Sequence, residues 1–345
     1  MGTPNSDIAS SNRRRWSAGR VVLLAVTAVS LYLFFPSIAE VFSAWDKLGE
    51  VHPLALPVIF ACEAMSFVCT WVVQRIALRT HEWFSISTSQ LAGNSFNRVT
   101  PGGGATGTAL QARMLIDAGF DGPKAAAGLT VQSFLMTAAV VAMPILALPA
   151  IIAGTRVPNS LVDAAWIGAL LFVAIVVLGV VLLATRKPLD RLGHVIETTA
   201  NLFRFRRPPI HDLGPKLLDE RDEIRVTMGS NWLAAVGASV GRWGFEYLAL
   251  LVTLYAIDAS PDPWLVLFAF VAASALGMIP FSPGGLGFVE AGMTASLAVA
   301  GVTVGQAVLA TLVFRLVSFW LPIPIGIFAG WLFRRRYPRV LVAED

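Results

Sequence analysis

The sequence predicts an all-α polytopic membrane protein with six full spans and two re-entrant helical hairpins, arranged as an inverted repeat. Of its 345 residues, 56% are hydrophobic and only 14% are charged, whereas about a quarter of the residues in soluble domains are charged. The apolar residues form runs of about 20 or more, which is the length that crosses roughly 30 Å of hydrocarbon. Basic residues gather at the ends of these runs, so the composition excludes a disordered chain and an ordinary soluble enzyme.

Six apolar runs are long enough to be full spans, and they are predicted at 20–40, 53–79, 124–150, 161–184, 230–257 and 305–333. The first run is longer than a signal-peptide core, so we expect it to be retained as a helix. The membrane domain is therefore predicted at 20–335, between short tails at 1–19 and 336–345. The polar linker at 185–229 is expected either as an amphipathic helix on the membrane surface or as a solvated segment.

Two further apolar regions, 85–117 and 263–300, are interrupted near the middle by proline and glycine. Proline removes a backbone donor and glycine weakens a helix, so each region predicts two half-length helices joined by a turn. Non-helical backbone at membrane depth requires shielding by protein or by a water-filled cavity, which a re-entrant hairpin provides. The alternative is two kinked full spans, which would raise the number of spans to eight.

The distribution of charge predicts the orientation. With the N-terminus inside, the cytoplasmic segments hold most Lys and Arg residues, whereas the outer loops hold only Lys47 and Arg156. This obeys the positive-inside rule and predicts a multi-pass plasma-membrane protein with both termini in the cytoplasm. Since no basic face is interleaved with aromatic residues, no nucleic-acid partner is expected.

An internal repeat accompanies the two broken regions. A shift of 182 residues brings nine identical pairs into register over the 34 positions from 101 to 134. The order of full span, broken region and full span also recurs, in 53–150 and 230–333, and the two units begin on opposite sides of the membrane. Inverted repeats with broken helices are typical of transporters, whose binding site lies near the midplane.

Arg315 is the most informative charged residue, because it lies eleven residues into the last predicted span. A mid-bilayer arginine costs at least ~2.5 kcal/mol on insertion scales. We therefore expect it to face a cavity or a carboxylate, either Glu290 or Glu246. Arg242 lies one helical turn before Glu246. These charges either line a functional cavity or form buried pairs that fix helix packing.

The glycine-rich turns lie directly before the second half-helix of each broken region. Their residues are Pro101, Gly102, Gly103 and Gly104 in the first turn and Pro283, Gly284, Gly285 and Gly287 in the second. A helix N-terminus presents unpaired N–H groups that attract anions such as phosphate. Alternatively, the turns only close the hairpins. The predicted head-group site consists of Arg98, Arg113, Arg315, Glu290, Glu246, Arg242 and Asn97.

The motifs that mark enzymes are absent from the sequence. No HExxH, Cys-x-x-Cys, Gly-x-Ser-x-Gly or phosphate-binding loop is found, so no catalytic residue, metal site or cofactor is expected. Cys62 and Cys69 lie seven residues apart in one apolar run. A helix of that length rises about 10 Å, too far for a disulfide, so both are expected as packing residues.

The second broken region resembles the signature of the lysylphosphatidylglycerol synthase transmembrane-region family, whose members have a flippase-like domain. The matching residues are Pro283 to Glu290, Gly301, Phe314, Arg315, Ser318 to Pro322 and Gly326. Asn97 to Pro101 and Arg113 resemble an earlier, looser motif of the same family. The resemblance implies movement of anionic or aminoacylated phospholipids between leaflets, with a membrane phospholipid or lipid-linked substrate as partner. It also implies functional roles for Glu290 and Arg315.

Two departures qualify the resemblance. No acidic residue follows the first glycine-rich turn, where 105–109 reads Ala-Thr-Gly-Thr-Ala. Only nine residues follow Arg336, so the soluble aminoacyl-transferase domain of the synthases is not expected in this chain. Two alternatives therefore stand beside the flippase-like function. One is a membrane subunit of a separate lipid-modifying transferase or glycosyltransferase, and the other is a small-solute or ion transporter.

Overall fold

The computed structural model describes residues 52–100, 104–143, 213–277 and 285–338, together with four positions between 170 and 177. This part of the chain is helical and contains no strand, which confirms the all-α class. The helices are α1 Ala55–Ala77, α2 Phe84–Val99, α3 Gly104–Asp117, α4 Gly122–Ala142, α5 Leu213–Ala256, α6 Pro263–Gly277, α7 Phe288–Val299, α8 Val304–Arg315 and α9 Pro322–Arg336. A five-residue π-helix, Leu316–Trp320, joins α8 to α9.

Three described helical stretches are long and apolar enough to cross a membrane. They are Ala55–Ala77, Gly122–Ala142 and the continuous stretch Val304–Arg336, and they fall on predicted spans. The predicted spans at 20–40 and, apart from the four isolated positions, 161–184 lie outside the described residues. Several apolar helices of membrane-crossing length are therefore present.

Helix α5 begins earlier than the sequence predicts. It starts at Leu213 rather than at 230 and contains 44 residues, which corresponds to a length of about 66 Å. That is roughly twice the hydrocarbon thickness. Its first part, 213–229, carries several charged residues, whereas the part from 230 onward is mainly apolar. The end of the predicted linker thus belongs to α5, while 185–212 lies outside the described residues.

Within each broken region the two short helices pack against each other. The α2–α3 contact is tight because glycines face each other: a Cβ on Gly107 would overlap the backbone oxygen of Gly93. The hydroxyls of Thr100 and Thr106 lie 2.9 Å apart near the turn. In the second region, a Cβ on Gly277 of α6 would lie 3.3 Å from Cγ2 of Val289 in α7.

The ends of α3 and α7 have the same local geometry, at positions 182 residues apart. Gly119 has φ +94° and Gly301 has φ +90°, a left-handed conformation that favours glycine. The amide that follows each glycine donates back to the helix, over 3.0 Å from Phe120 to Leu115 and over 3.1 Å in the later copy. These are glycine C-caps, and they explain why both positions carry glycine.

Helices α1 and α5 run antiparallel along each other. The His52 amide donates to the Ala256 carbonyl over 3.0 Å at one end of the contact. Farther along, a Cβ on Gly241 would lie 3.1 Å from Sγ of Cys69, which is a free thiol. Interpolation between these contacts brings the middle of α1 opposite the last third of α5, with residue 63 opposite about residue 246.

Helix α9 packs closely on α2. A Cβ on Gly326 would overlap the backbone oxygen of Leu91 and the Cβ of Ser95. The Ser95 hydroxyl donates to the Ile323 carbonyl over 2.9 Å. A buried apolar core, which includes Phe270, Leu297 and Phe314, joins α5 to α6, α7 and α8. These contacts place a set of charged side chains between α1, α2, α5 and α8.

Candidate functional site

Two adjoining cavities of about 250 Å³ each lie between the packed helices. The first is lined mainly by side chains of α1 to α5, and the second by side chains of α2 and of α5 to α8 with the π-helix. Six residues line both cavities: Asn94, Asn97, Arg98, Arg242, Trp243 and Glu246. We refer to the two together as the central cavity.

Arg315 pairs with Glu290, one of the two carboxylates that the sequence indicates for it. Its Nε lies 2.6 Å from Oε1 of Glu290, and the arginine is only 9% exposed. The other carboxylate oxygen of Glu290 accepts the Gly287 amide over 2.7 Å. Glu290 therefore closes the N-terminus of α7 as well as neutralising Arg315, and a carboxylate is favourable at the positive end of a helix.

This arrangement makes the two half-helix N-termini unequal. Because Glu290 already occupies the N-terminus of α7, that end does not offer a position for an external anion. Helix α3 has no acidic residue in its first turn, and its first residue, Gly104, lines the central cavity. Thr108 stands 182 residues before Glu290, and Ser133 stands 182 residues before Arg315. The first unit thus holds neutral residues where the second holds an ion pair.

Arg98 connects the first broken region to the π-helix. Its Nε donates to Oδ1 of Asn94 over 3.1 Å, and its Nη1 donates to the Ser318 carbonyl over 2.7 Å. In an α-helix that carbonyl would accept from residue 322, which is a proline without an N–H. The freed acceptor is therefore available to Arg98. No described carboxylate forms an ion pair with Arg98.

The ring of Phe319 lies between two guanidinium groups. The guanidinium carbon of Arg98 is 4.9 Å from the ring centroid, and that of Arg315 is 4.1 Å away. A cation within about 6 Å of an aromatic face is attracted by the negative charge density of the ring. Phe319 thereby helps to hold two cations close together at the edge of the cavity.

Arg242 and Glu246 form an internal pair on α5. The two contacts measure 2.9 and 3.3 Å, one from each terminal nitrogen, which is the bidentate geometry of a strong charge-assisted pair. The guanidinium also stacks over the neighbouring ring of Trp243 at 3.8 Å. Trp243 in turn donates to the Met136 carbonyl over 2.8 Å. Arg242 therefore faces the cavity already neutralised.

Several buried polar atoms, on residues that line the first cavity, have no hydrogen-bond partner among the described residues. They are Oε1 of Glu63, Oδ1 of Asn97, Nε2 of Gln111 and Oε1 of Gln132. Glu63 is 5% exposed and Gln111 is 7% exposed. Leaving such a group unpaired costs about 1–3 kcal/mol. Four buried polar groups beside the cavity are thus without a described partner.

The structure brings together most, but not all, of the residues that the sequence indicates for the site. Asn97, Arg98, Arg242, Glu246 and the Glu290–Arg315 pair surround the central cavity, the last through Arg315. Arg113 does not join them, because it lies on another face of α3 and is exposed. Of the turn residues, Pro101 to Gly103, Pro283 and Gly284 lie outside the described residues, while Gly285 and Gly287 have φ of +73° and +81°.

Other cavity residues were not among the predicted site residues. Glu63 had a signal, because it is a carboxylate within an apolar run and 182 residues separate it from position 245, next to Glu246. Gln132 had a weaker one, as a polar residue in an apolar helix. No sequence signal indicated the contributions of Phe319 and of the Ser318 carbonyl. The described residues contain no group of three His, Cys, Asp or Glu side chains that could hold a metal ion.

Comparison with known proteins gives a family match over most of the chain. Residues 21–326 match the family described as Lysylphosphatidylglycerol synthase TM region. Two relatives, each named UPF0104 membrane protein and each from Methanothermobacter thermautotrophicus, are similar over short segments. One is 33% identical over 87 residues, covering 25% of this chain and 26% of the relative. The other is 29% identical over 92 residues, covering 27% and 26%. The chain therefore spans about a quarter of the length of the curated relatives it matches.

Proposed function

This chain belongs to the lysylphosphatidylglycerol synthase TM region family, and we propose that it translocates an anionic phospholipid whose head group docks in the central cavity. The observation that carries the proposal is the central cavity itself, a charged and hydrogen-bonding space enclosed by apolar helices. Ionisable residues within membrane helices are costly, and they commonly mark substrate pathways. The acyl chains would remain in the bilayer while the head group crosses.

We propose an inverted repeat with a two-fold axis in the membrane plane as the framework for this movement. Such an axis passes through the point where equivalent residues of the two units meet. The antiparallel contact of α1 and α5 brings Glu63 opposite Glu246, and these residues are equivalent, within one position, at the shift of 182. The matching caps at Gly119 and Gly301 also support the repeat.

Two re-entrant hairpins complete the proposed architecture. The packing of α2 on α3 and of α6 on α7 supports hairpins over kinked spans, because the two halves of a kinked span would not lie against each other. Surrounding helices would shield the turns, as non-helical backbone at membrane depth requires. Six spans then remain, and the binding site lies between the units.

The two units are unequal, which favours one position for the phosphate. It would bind between the N-terminus of α3 and Arg98, because that N-terminus lacks an internal carboxylate and Arg98 has only neutral acceptors. Helix N-termini and arginine are both good phosphate ligands. The unpaired Nε2 of Gln111 supplies a further donor in the same cavity.

The remaining unpaired atoms indicate which groups the rest of the head group carries. Oε1 of Glu63, Oδ1 of Asn97 and Oε1 of Gln132 are acceptors, so they require donors from the ligand. A head group that carries hydroxyl or amino groups would satisfy them, as in a glycerol, sugar or aminoacyl ester substituent. We therefore propose an anionic lipid with donor groups beyond its phosphate.

The orientation proposed for the protein places its basic helix ends in the cytoplasm of a plasma membrane. Arg75 lies in the last turn of α1, Arg79 follows that helix, and Arg334 to Arg336 end α9. These ends lie together, since the guanidinium of Arg336 is 4.7 Å from the ring of Phe84 at the start of α2. One shared basic surface is the arrangement that the positive-inside rule favours.

The proposal is tested with the full chain in vesicles of phosphatidylcholine that contain phosphatidylglycerol labelled on an acyl chain. Loss of the label to a membrane-impermeant quencher measures movement between leaflets. Arg98→Gln should slow this movement at least ~10-fold, the loss expected when a charge-assisted bond of about 1.5–3 kcal/mol is removed. Arg335→Gln, which removes the same charge outside the cavity, is the control. Equal rates for wild type and Arg98→Gln would contradict the proposal, and efflux of free glycerol phosphate would favour a solute transporter.

A further inference from the structure

Helices α2 and α3 present a second face, away from the central cavity. There, together with α9, they form a groove of about 660 Å³. Its walls are mainly apolar, and its larger apolar residues include Phe96, Val99, Leu110, Ile327 and Trp331. None of the residues that line this groove lines the central cavity. The groove is therefore a separate site.

The floor of the groove consists of small residues. Gly326 and Gly330 of α9 face Ala92 and Ser95 of α2, and a Cβ on Gly330 would lie 3.4 Å from that of Ala92. Small residues at this spacing let membrane helices approach closely. The backbones meet at the floor, while the larger side chains stand on either side. The shape is a long, narrow channel along the helices.

Charge is confined to one end of the groove. Arg113 and Arg334 are exposed there, and neither forms an ion pair or a hydrogen bond with another described residue. Asp117 and Tyr337 lie at the same end. Ile327 lies seven residues before Arg334, about 10 Å along the helix. The groove thus changes from cationic to apolar over roughly the distance between a lipid head group and the upper part of its chains.

We propose that this groove binds one phosphatidylglycerol-type phospholipid, with its phosphate between Arg113 and Arg334 and an acyl chain along the apolar walls. Two unpaired guanidinium groups suit a phosphate diester. Asp117 would accept a hydrogen bond from the head-group hydroxyls, which phosphatidylcholine lacks. Exposed Phe96, Val99 and Ile327 would be covered by the chain. The basic end corresponds to the cytoplasmic side, so the bound lipid belongs to the inner leaflet.

The site adds to the proposed function without depending on it. A lipid bound here is held at the outer face of the same two helices whose inner face lines the central cavity. It could stabilise α2 and α3 whether or not the central cavity moves lipid. The two proposals can therefore fail separately.

The test uses the full chain in phosphatidylcholine vesicles with a small fraction of phosphatidylglycerol that carries a photoreactive group near the end of one acyl chain. After illumination, the labelled peptides are identified by mass spectrometry. We expect labels on α2 and α9 around Phe96, Val99 and Ile327. The double variant Arg113→Gln/Arg334→Gln should lose roughly 10-fold of this labelling, since each basic residue near a membrane surface strengthens the binding of anionic lipid.

The matched control is Arg335→Gln/Arg336→Gln, which removes two positive charges from the end of α9 but none from the groove. It should keep the labelling near the wild-type level, and thermal unfolding should show both double variants folded. Equal labelling of the two variants would overturn the proposal. So would equal labelling by a phosphatidylcholine probe, or displacement of the lipid by soluble glycerol phosphate. If Arg98→Gln translocates lipid as fast as wild type, the proposed function is overturned, but the lipid site in the groove is not.

Discussion

Glu290 is the residue on which the second half of the site depends, because its two carboxylate oxygens serve different partners. One oxygen pairs with Arg315, and the other accepts the backbone amide that begins α7. The pair therefore links α7 to α8 within the membrane. A buried ion pair adds little to stability as a whole, but removal of one partner leaves the other charge buried and unpaired.

Glu290→Gln should therefore lower the free energy of unfolding by about 3–5 kcal/mol, the usual cost of breaking a buried pair. Glutamine can still accept the Gly287 amide, so the loss reports on the charge. Adding Arg315→Gln should recover part of it. The measurement is chemical unfolding of the two single variants and the double variant in detergent. Additive effects would show that the two side chains are not coupled.

For single residues, the sequence predicted side-chain partners where the membrane imposes a constraint. An apolar span obliges Arg315 to find a carboxylate, but the choice between Glu290 and Glu246 depends on helix packing, which sequence spacing does not encode. Arg113 was grouped with Arg98 although a helical wheel separates it from the cavity side of α3. Gly107 and Gln111 are four residues apart and share that face, whereas Arg113 lies about 200° around the helix from Gln111.

At the scale of helices, glycine sets how closely the elements approach. Gly93 and Gly107 bring α2 against α3, and Gly326 brings α9 against α2. Helix α2 thus has two close neighbours, α3 and α9. Glycine in a helix interior carries a conformational cost, and here the close backbone contact offsets it.

Gly326→Ala should destabilise the protein by about 1–3 kcal/mol, the usual cost of overpacking, because its Cβ would overlap the Leu91 carbonyl and Ser95. The matched control is Gly237→Ala in α5, where a Cβ would meet nothing within 4 Å and alanine favours the helix by up to about 1 kcal/mol. Thermal unfolding in detergent should show a lower midpoint only for Gly326→Ala. Equal midpoints would mean that α9 does not pack on α2 in this way.

The half-helices were predictable because proline and glycine interrupt two long apolar runs. The π-helix at Leu316–Trp320 was not, although Pro322 in the same stretch removes the α-helical partner of the Ser318 carbonyl. A sequence shows that a proline leaves a carbonyl without its α-helical donor. It does not show which other group then donates to that carbonyl. The sequence did not predict the early start of α5, because 213–229 is charged and has no apolar pattern of its own. These residues are helical as the N-terminal part of the continuous helix α5.

Among the described helices, α1 and α5 form an extensive antiparallel contact. The sequence predicted two units in opposite orientations from the order of their elements and the shift of 182. It did not predict that equivalent carboxylates, Glu63 and Glu246, would lie at the centre of the contact. That follows only from the register of the antiparallel contact, which sequence spacing does not encode.

Gly241→Cys should form a disulfide with Cys69 on mild oxidation, because a Cβ at 241 would lie 3.1 Å from Sγ of Cys69. This is close to the geometry that a disulfide requires. The chain has two native cysteines, so counting free thiols by a mass tag after denaturation should give three before oxidation and one after it. Gly244→Cys, with nothing within 4 Å of its Cβ, should keep three. Three free thiols in the oxidised Gly241→Cys variant would contradict the antiparallel contact.

In the proposed mechanism, the lipid phosphate binds at the N-terminus of α3, which lacks the internal carboxylate that Glu290 supplies to α7. Thr108 stands 182 residues before Glu290 and lies one turn into α3, beside the cavity. Thr108→Glu places a carboxylate there, whereas Thr108→Gln places a neutral side chain of the same size. A carboxylate near a helix N-terminus is stabilising by about 0.3–1 kcal/mol, so both variants should remain folded.

The deciding measurement is the rate at which labelled phosphatidylglycerol crosses reconstituted vesicles that contain each Thr108 variant. Thr108→Glu should slow translocation at least ~10-fold, because a fixed anion then occupies the phosphate position and repels the substrate. Thr108→Gln should remain within about threefold of wild type, since it adds the same bulk without charge. If the two variants translocate phosphatidylglycerol equally well, the phosphate does not bind at α3.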